Sequence, residues 1–117
     1  MTLSTAVVGA GNVAHLHIEA VNRLGTARVR AVVDNNPERA KAAARKHAIP
    51  EIYQDYRAVL EDPDIDVVHC CLPNPMHYDF LKAALDAGKH IFTEKPLCAS
   101  SREAREIMEF ARSKALL

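Results

Sequence analysis

Several residue types that direct folding or function are scarce in this sequence of 117 residues, which has no tryptophan and only three cysteines. Cys70 and Cys71 are adjacent, so in a strand they would point to opposite faces. An odd number of cysteines with this spacing gives no disulfide framework, and we expect buried free thiols. The sequence also lacks a Cys-x-x-Cys motif and histidines spaced as ligands on a helix, so no metal site is expected.

Net charge is absent as well, because 15 lysines and arginines balance 15 aspartates and glutamates. A neutral chain lacks the basic surface by which proteins bind nucleic acids, and we expect no nucleic-acid partner. No apolar run approaches the roughly 18 residues that cross a membrane, so no membrane contact is expected. Residues 1–5 lack the positive and apolar regions of a signal peptide, which favours a cytoplasmic location.

The composition and pattern that are present indicate a small α/β domain. A length of 117 residues, with 49% hydrophobic and 26% charged residues, predicts one globular domain over residues 1–117. Short apolar runs predict strands at residues 5–9, 29–33, 51–53, 66–72 and 90–94. Helical periodicity follows each run, at residues 13–24, 37–47, 55–61, 80–85 and 101–113. We therefore predict a doubly wound parallel sheet in three α/β/α layers, with strand order 3-2-1-4-5.

The side of each helix that faces the core is predicted by its apolar residues. In the first helix these are Val13, Leu16, Ala20, Val21 and Leu24. In the last helix, which begins at a Ser-x-x-Glu capping box, they are Ala104, Ile107, Met108 and Ala111. His17 falls on the apolar side of the first helix, and we expect a packed, hydrogen-bonded core histidine there rather than a ligand.

A glycine-rich turn lies between the first predicted strand and the first helix. Residues 9–14 (Gly-Ala-Gly-Asn-Val-Ala) fit the pattern Gly-x-Gly-x-x-Gly/Ala, in the place where a dinucleotide-binding turn requires it. Gly9 permits a tight turn, Gly11 lets the backbone approach a pyrophosphate, and the small Ala14 lets the helix pack close to the sheet. Backbone amides and the positive end of the helix dipole would bind the diphosphate, so we predict a dinucleotide site.

An aspartate at the end of the second strand indicates which dinucleotide is bound. Asp34 lies twenty residues beyond Ala14, where a carboxylate accepts the hydroxyls of the adenosine ribose. A carboxylate about 4 Å from a 2′-phosphate costs roughly 1–4 kcal/mol, about tenfold to a thousandfold in affinity. Asn35 and Asn36 offer no cation for that phosphate, and Arg39 lies one turn inside the second helix. We predict that NAD is preferred over NADP.

Two further segments carry a resemblance to a known family. Residues 73–77 (Pro-Asn-Pro-Met-His) follow the fourth strand, and residues 87–97 (Ala-Gly-Lys-His-Ile-Phe-Thr-Glu-Lys-Pro-Leu) contain the fifth. With the glycine turn, they resemble the N-terminal NAD(P)-binding Rossmann domain of the Gfo/Idh/MocA oxidoreductases (glucose–fructose oxidoreductase, inositol dehydrogenase and relatives). The resemblance extends over nearly the whole chain, and the Glu-Lys-Pro run at residues 94–96 is its most specific mark.

The resemblance implies which residues surround the cofactor. Around the pyrophosphate these are Gly9, Gly11, Asn12, Val13 and Ala14, and at the adenosine ribose it is Asp34. The loop that passes beside the nicotinamide half contains Leu72, Pro73, Asn74 and His77. The residues next to the nicotinamide ribose and the substrate are Glu94 and Lys95.

Lys95 is the residue to which the resemblance gives a catalytic role. In family members this lysine helps to orient the substrate hydroxyl and to tune the general base, and a cation there favours the deprotonated alcohol as hydride leaves. The alternative for Lys95 is a solvated charge, and the alternative for His77 is a cap of its helix. Leu72 departs from the family pattern, because many members have threonine there, which puts one hydrogen bond to the cofactor in doubt.

Family enzymes continue into a second domain, which supplies most of the substrate pocket, an Asp and a His of the catalytic group and the subunit interface; we expect this chain to lack it. The intact enzyme would transfer hydride between the nicotinamide and a sugar, cyclitol or related alcohol, while this chain would bind NAD without turnover. An apolar surface left open would favour a homodimer. Two alternatives are a non-catalytic nucleotide-binding sensor or partner subunit, and a methyltransferase, in which residues 94–96 would have no role.

Overall fold

A computed structural model describes residues 2–117, and the order of elements in it is the predicted one. The strands are β1 (Leu3–Val8), β2 (Ala27–Val33), β3 (Glu51–Tyr53), β4 (Val67–Cys70) and β5 (His90–Thr93). The helices are α1 (Asn12–Leu24), α2 (Pro37–His47), α3 (Arg57–Leu60), α4 (His77–Asp86) and α5 (Ser101–Ser113). A short 3₁₀ turn (Asn74–Met76) precedes α4.

The five strands form one parallel sheet in the order β3-β2-β1-β4-β5, which confirms the prediction. β1 lies at the centre, and the chain winds outwards from it in both directions. The segments that follow β1 and β4 therefore leave the sheet towards opposite faces and open a crevice at the carboxyl ends of the strands. Ligands of doubly wound folds bind at this position.

Side-chain alternation along the strands divides the core into two layers. In β1, Val7 packs with the buried residues of α1 and α2, whereas Ala6 and Val8 pack with those of α3, α4 and α5. The predicted apolar stripe of α4 is completely buried in the second layer. The three-layer arrangement is confirmed.

The predicted helix boundaries are set by local capping. α1 ends at Gly25, which has a left-handed φ of 74°. α2 begins after Asn36, whose side-chain oxygen accepts a hydrogen bond of 3.0 Å from the amide of Glu38. α5 begins after Ser100, whose hydroxyl accepts one of 3.2 Å from the amide of Glu103.

The predicted core-facing sides of α1 and α5 are partly wrong. Leu16, Ala20 and Leu24 are exposed, the two leucines by 65% and 64%, because α1 packs over β1 and β2 while its apolar residues continue around the helix beyond this contact. Met108 is 55% exposed, because α5 packs mainly against α4 and buries Ile107 alone. The residues that α1 buries are Ala14, His17, Ile18 and Val21.

One part of the sheet is left without a covering helix within residues 2–117. The winding places α1 and α2 over β1, β2 and β3, so the same face of β4 and β5 stays bare. The result is a groove of about 460 Å³ beside α1, called the open groove below. It is lined by Leu3, Thr5, Leu16, His17, Ala20, Val21, Leu24, Ala27, Val67, His69, Phe92 and Glu94.

Candidate dinucleotide site

A cleft of about 300 Å³ lies at the carboxyl ends of β1, β2, β3 and β4. Five of the predicted site residues line it, namely Gly9, Gly11, Asp34, Leu72 and Pro73. The other lining residues are Val8, Ala10, Val33, Asn35, Arg39, Gln54, Cys71 and Met76. The cleft therefore coincides with the crevice that the strand order creates between β1 and β4.

Gly9 holds the turn after β1 against the end of β4. Its φ is +99°, and a Cβ at this position would lie 2.4 Å from the carbonyl oxygen of Cys71. Its amide donates a hydrogen bond of 2.7 Å to the carbonyl of Val33 at the end of β2. Only a glycine tolerates both the positive φ and the close approach to Cys71, which accounts for the tight turn expected from the sequence.

Gly11 leaves the amino end of α1 free to bind an anion. It is the N-cap residue of α1, its φ of −80° is ordinary, and no side chain accepts hydrogen bonds from the first amides of the helix. A Cβ at Gly11 would meet nothing within 4 Å, so the space in front of these amides is open. Amides at the start of a helix need an acceptor, and a diphosphate fits this need and the helix dipole.

Asp34 is a buried carboxylate that connects the glycine turn to β2. It is 8% exposed, with Oδ2 accepting a hydrogen bond of 2.8 Å from the amide of Ala10 and Oδ1 accepting one of 2.8 Å from the amide of Asn36. Each carboxylate oxygen has a second lone pair, so Asp34 is still able to accept ribose hydroxyls from the cleft. The residue thus fixes the turn and presents a negative charge beside it.

Arg39 and Gln54 line the cleft although the sequence analysis did not place them there. Arg39 lies in the first turn of α2, and a helical side chain leans back towards the amino end of its helix. Gln54 follows β3, whose carboxyl end lies at the same edge of the sheet as those of β1 and β2. The predicted strand order, combined with the direction of helical side chains, would have been enough to place both residues in the cleft.

The segment after β4 forms the wall of the cleft opposite Asp34. The amide of Cys71 donates a hydrogen bond of 2.8 Å to the carbonyl of Val8, and Leu72 and Pro73 follow on the cleft side. Burial raises the pKa of the Cys71 thiol to about 12, which keeps it neutral and unreactive. Asn74 is exposed in the 3₁₀ turn and does not line the cleft.

His77, predicted to contact the cofactor or to cap its helix, does not line the cleft, and its ring nitrogens face two carbonyl oxygens; a contact with a cofactor stays a prediction. The residue is completely buried at the start of α4. Its Nε2 lies 2.8 Å from the carbonyl oxygen of Leu72, and its Nδ1 lies 2.8 Å from that of Pro96. The ring therefore lies between the cleft wall at Leu72 and the segment after β5 at Pro96.

Glu94 also lies outside the cleft. Its Oε1 is 3.0 Å from Nε2 of His17, so the carboxylate faces the open groove on the α1 side of the sheet. Lys95 is exposed at the carboxyl end of β5. At the start of α1, Asn12 is exposed, Val13 is half-buried, and Ala14 is completely buried where the helix packs on the sheet. A contact of these residues with a cofactor stays a prediction.

His17 and His69 form a hydrogen-bonded pair behind Glu94, which confirms His17 as a packed, hydrogen-bonded core histidine. Their Nδ1 atoms are 3.0 Å apart, and the exposed ring of Phe92 stacks on His69 at a centroid distance of 5.3 Å. Burial, with a smaller contribution from His17, lowers the pKa of His69 to about 4. His69 is therefore neutral at pH 7. Among the described residues, no three His, Cys, Asp or Glu side chains are placed to hold a metal ion.

Comparison with known proteins identifies the family. The chain matches the Gfo/Idh/MocA model, described as an oxidoreductase family with an NAD-binding Rossmann fold, over residues 3–117. The chain belongs to this family. None of the helices within residues 2–117 combines the length and the apolar character that a membrane crossing requires.

Family relatives include sugar and cyclitol oxidoreductases. An inositol 2-dehydrogenase from Paracoccus denitrificans is 38% identical over 112 residues, which cover 93% of this chain and 33% of the relative. The structure of myo-inositol dehydrogenase from Lactobacillus casei with NAD(H) and myo-inositol superposes with a TM-score of 0.89 at 36% identity, covering 97% of this chain and 34% of that one. A 3-ketoreductase from Actinomadura kijaniata, in complex with TDP-benzene and NADP, gives a TM-score of 0.94 at 30% identity, covering 100% and 37%. This Gfo/Idh/MocA chain thus spans about a third of the length of the relatives it matches.

Replacing the two glycines of the turn separates folding from binding in this Gfo/Idh/MocA domain. Gly9→Ala places a Cβ against the Cys71 carbonyl, so we expect the free energy of unfolding to fall by about 2 kcal/mol or more. Gly11→Ser adds a capping hydroxyl in open space, so we expect unchanged or higher stability but loss of NADH binding, because the hydroxyl occupies amides that a diphosphate needs. Urea unfolding and calorimetric titration measure the two effects. Equal losses of stability in both variants would contradict this assignment.

The buried neutral His69 makes stability depend on pH. Its pKa is about 4 in the folded chain against 6.5 when unfolded, so between these values only the unfolded chain takes up the proton and stability falls as the pH falls. We expect His69 to lower the free energy of unfolding by about 2–3 kcal/mol between pH 7 and pH 4.5. In His69→Asn, which keeps a polar atom near Nδ1, this part of the loss disappears. Urea unfolding at pH 7 and pH 4.5 measures this loss in the unaltered chain and in His69→Asn. If the free energy of unfolding depends on pH identically in both, the lowered pKa of His69 is refuted.

Proposed function

We propose that this chain binds a nicotinamide dinucleotide in the cleft and, as part of a longer oxidoreductase, holds it for hydride transfer to or from a sugar, cyclitol or related alcohol. The observation that carries the proposal is the uncapped amino end of α1 at Gly11, which opens towards the buried carboxylate of Asp34. An anion-binding helix terminus beside a ribose-binding carboxylate matches the two halves of an adenosine diphosphate.

Residues of the glycine turn would hold the diphosphate. The free amides at the start of α1 donate to its oxygens, and the absence of a side chain at Gly11 lets the backbone come close. Asp34 accepts the ribose hydroxyls while its bonds to Ala10 and Asn36 keep the carboxylate in place. The bound cofactor supplies the hydride acceptor, and the chain supplies its position.

The nicotinamide half would extend along the wall formed by the segment after β4 and towards the end of β5. Leu72 and Pro73 present an apolar surface there, and the neutral thiol of Cys71 adds no charge. Lys95 stands at the end of β5, the strand next to β4. Its ammonium group would raise the local positive potential and so favour the deprotonated alcohol as hydride leaves.

The substrate class is proposed from the relatives. The inositol 2-dehydrogenases and the levoglucosan dehydrogenase among them are named for cyclic polyhydroxylated compounds. Because this chain spans about a third of the inositol 2-dehydrogenase and about a fifth of the levoglucosan dehydrogenase, and its cleft is assigned to the cofactor, we expect no turnover of a polyol by the chain alone. The residues that select one alcohol over another are expected to lie outside it.

The choice between NAD and NADP depends on two charges in the cleft. Asp34 would repel a 2′-phosphate, whereas Arg39, which lines the same cleft, would attract one. The carboxylate is buried, while Arg39 is exposed and its charge is screened by solvent. We therefore propose a preference for NAD, although both NAD(H) and NADP are found in structures of relatives.

Calorimetric titration with NADH and NADPH tests both the binding of a nicotinamide dinucleotide and the preference for NAD over NADP. We expect the unaltered chain to bind NADH about tenfold or more tightly than NADPH, the lower limit for a carboxylate beside a phosphate. Asp34→Asn keeps a hydrogen-bond acceptor but removes the charge, so the ratio of NADH affinity to NADPH affinity should fall. Arg39→Gln should raise this ratio, because it weakens the binding of NADPH alone. Equal affinities for both nucleotides in the unaltered chain would contradict the preference, and no heat with either would contradict the proposed function.

We also infer that the open groove mediates self-association of this chain into a homodimer. The accessible surface of 6926 Å² is about a tenth larger than the roughly 6,300 Å² expected for a monomer of this mass. Exposed apolar side chains concentrate in the groove, where Leu16 is 65% and Phe92 is 59% exposed. With a net charge of zero, two copies meet no overall electrostatic repulsion.

Sedimentation velocity from micromolar to millimolar concentration tests the homodimer. We expect dimers at the upper end, and we expect Leu16→Asp to abolish them because it places a charge in the buried contact. Met108→Asp is the matched control, since Met108 is similarly exposed but lies on α5, away from the groove. A monomer at millimolar concentration would contradict self-association and leave the groove to a different partner domain.

A further inference from the structure

The residues on either side of Lys95 are each anchored by a histidine from a different helix. Glu94, which precedes it, is bonded to His17 of α1 at 3.0 Å. The carbonyl oxygen of Pro96, which follows it, lies 2.8 Å from Nδ1 of His77 in α4. Lys95 itself is exposed and makes no hydrogen bond or ion pair in the described residues, so its position depends on its neighbours.

We propose that His17 and His77 are positioning residues that hold Glu94 and Pro96 and thereby fix Lys95 relative to the bound cofactor. The proposal rests on the function proposed above, in which Lys95 acts at the nicotinamide end of the cleft. Neither histidine lines the cleft; His17 holds the side-chain carboxylate of Glu94, and His77 lies against the backbone carbonyl of Pro96.

His17 links Lys95 to the diphosphate end of the site. It lies on the helix whose first turn carries the free amides at Gly11, and a single helix connects the two positions rigidly. The bond from an imidazole N–H to a carboxylate is charge-assisted, which makes it stronger than a neutral hydrogen bond. The side chains of His17 and Glu94 are 8% and 36% exposed, so water competes little at the histidine end.

His77 links Lys95 to the nicotinamide side of the site. One ring nitrogen contacts the carbonyl of Leu72 in the cleft wall, and the other contacts the carbonyl of Pro96. The ring is completely buried, and its surroundings hold it in one orientation. A ring with one N–H donates to one of these carbonyl oxygens at a time, and the cleft wall and the segment that carries Lys95 both lie against the same side chain.

Two pairs of amide variants test this role, since the side-chain nitrogen of asparagine lies near the place of Nδ1 of histidine and that of glutamine near the place of Nε2. His17→Asn and His77→Gln each lose the contact towards residues 94–96 and keep the other one. His17→Gln and His77→Asn each keep the contact towards residues 94–96 and lose the other. The two variants of one histidine each lose one contact. If the histidine only stabilised the fold, both variants would change the mobility of Lys95 equally.

The measurement is the heteronuclear ¹⁵N relaxation of the Lys95 amide in the full chain, together with calorimetric titration of NADH. We expect greater mobility of Lys95 on the ns timescale and NADH binding weakened about threefold to tenfold, the worth of one hydrogen bond, in His17→Asn and His77→Gln. In His17→Gln and His77→Asn, the mobility of Lys95 and the affinity for NADH should stay close to those of the unaltered chain. Equal mobility of Lys95 within both pairs would overturn the proposal.

Further arms separate failure of this inference from failure of the proposed function. If the unaltered chain binds no NADH, the proposed function fails, while Lys95 relaxation still decides whether the histidines fix this segment. If the His17 variants do not fold, Glu94→Ala removes the same bond from its half-exposed end and leaves both histidines in place. Unchanged Lys95 mobility in Glu94→Ala would equally overturn the part assigned to His17.

Discussion

The close approach of Gly9 to the carbonyl group of Cys71 is the constraint on which the rest of the site depends. β1 and β4 lie side by side, but the segments that follow them leave towards opposite faces of the sheet, and Gly9 is where the first passes over the second. A Cβ would lie 2.4 Å from the carbonyl oxygen, so no other residue keeps the segments this close. The start of α1, the cleft and the wall at Leu72 take their positions from this contact.

The parts of the molecule that the sequence predicts are those decided by local chemistry and by chain winding. The glycine turn before α1, the start of α5 at its Ser-x-x-Glu box, and Asp34 at the end of β2 each follow from a few neighbouring residues. The strand order follows from alternating strands and helices with right-handed crossovers. Since winding then brings the carboxyl ends of the strands together, the cleft follows as well.

Contacts between side chains that are far apart in the sequence could not be predicted from it. His17 and Glu94 are 77 positions apart, and nothing in either segment indicates that they meet across the bare face of the sheet. His77 lies in the expected loop region, but the burial of its ring between two carbonyl groups depends on how α4 packs. The face of α1 was mistaken because apolar residues extend around the helix onto the open groove, and periodicity alone does not tell which of two apolar sides is covered.

The most direct test of the central claim is a map of amide chemical-shift changes in the ¹⁵N-labelled chain during titration with NADH. The account predicts the largest changes at Gly11, Asn12 and Val13, where the diphosphate would accept hydrogen bonds, with further changes at Asp34. Amides of the open groove around Leu16 and Phe92 should change little. Changes centred on that groove, or no change in the glycine turn at saturating NADH, would contradict dinucleotide binding at the carboxyl ends of β1 and β4.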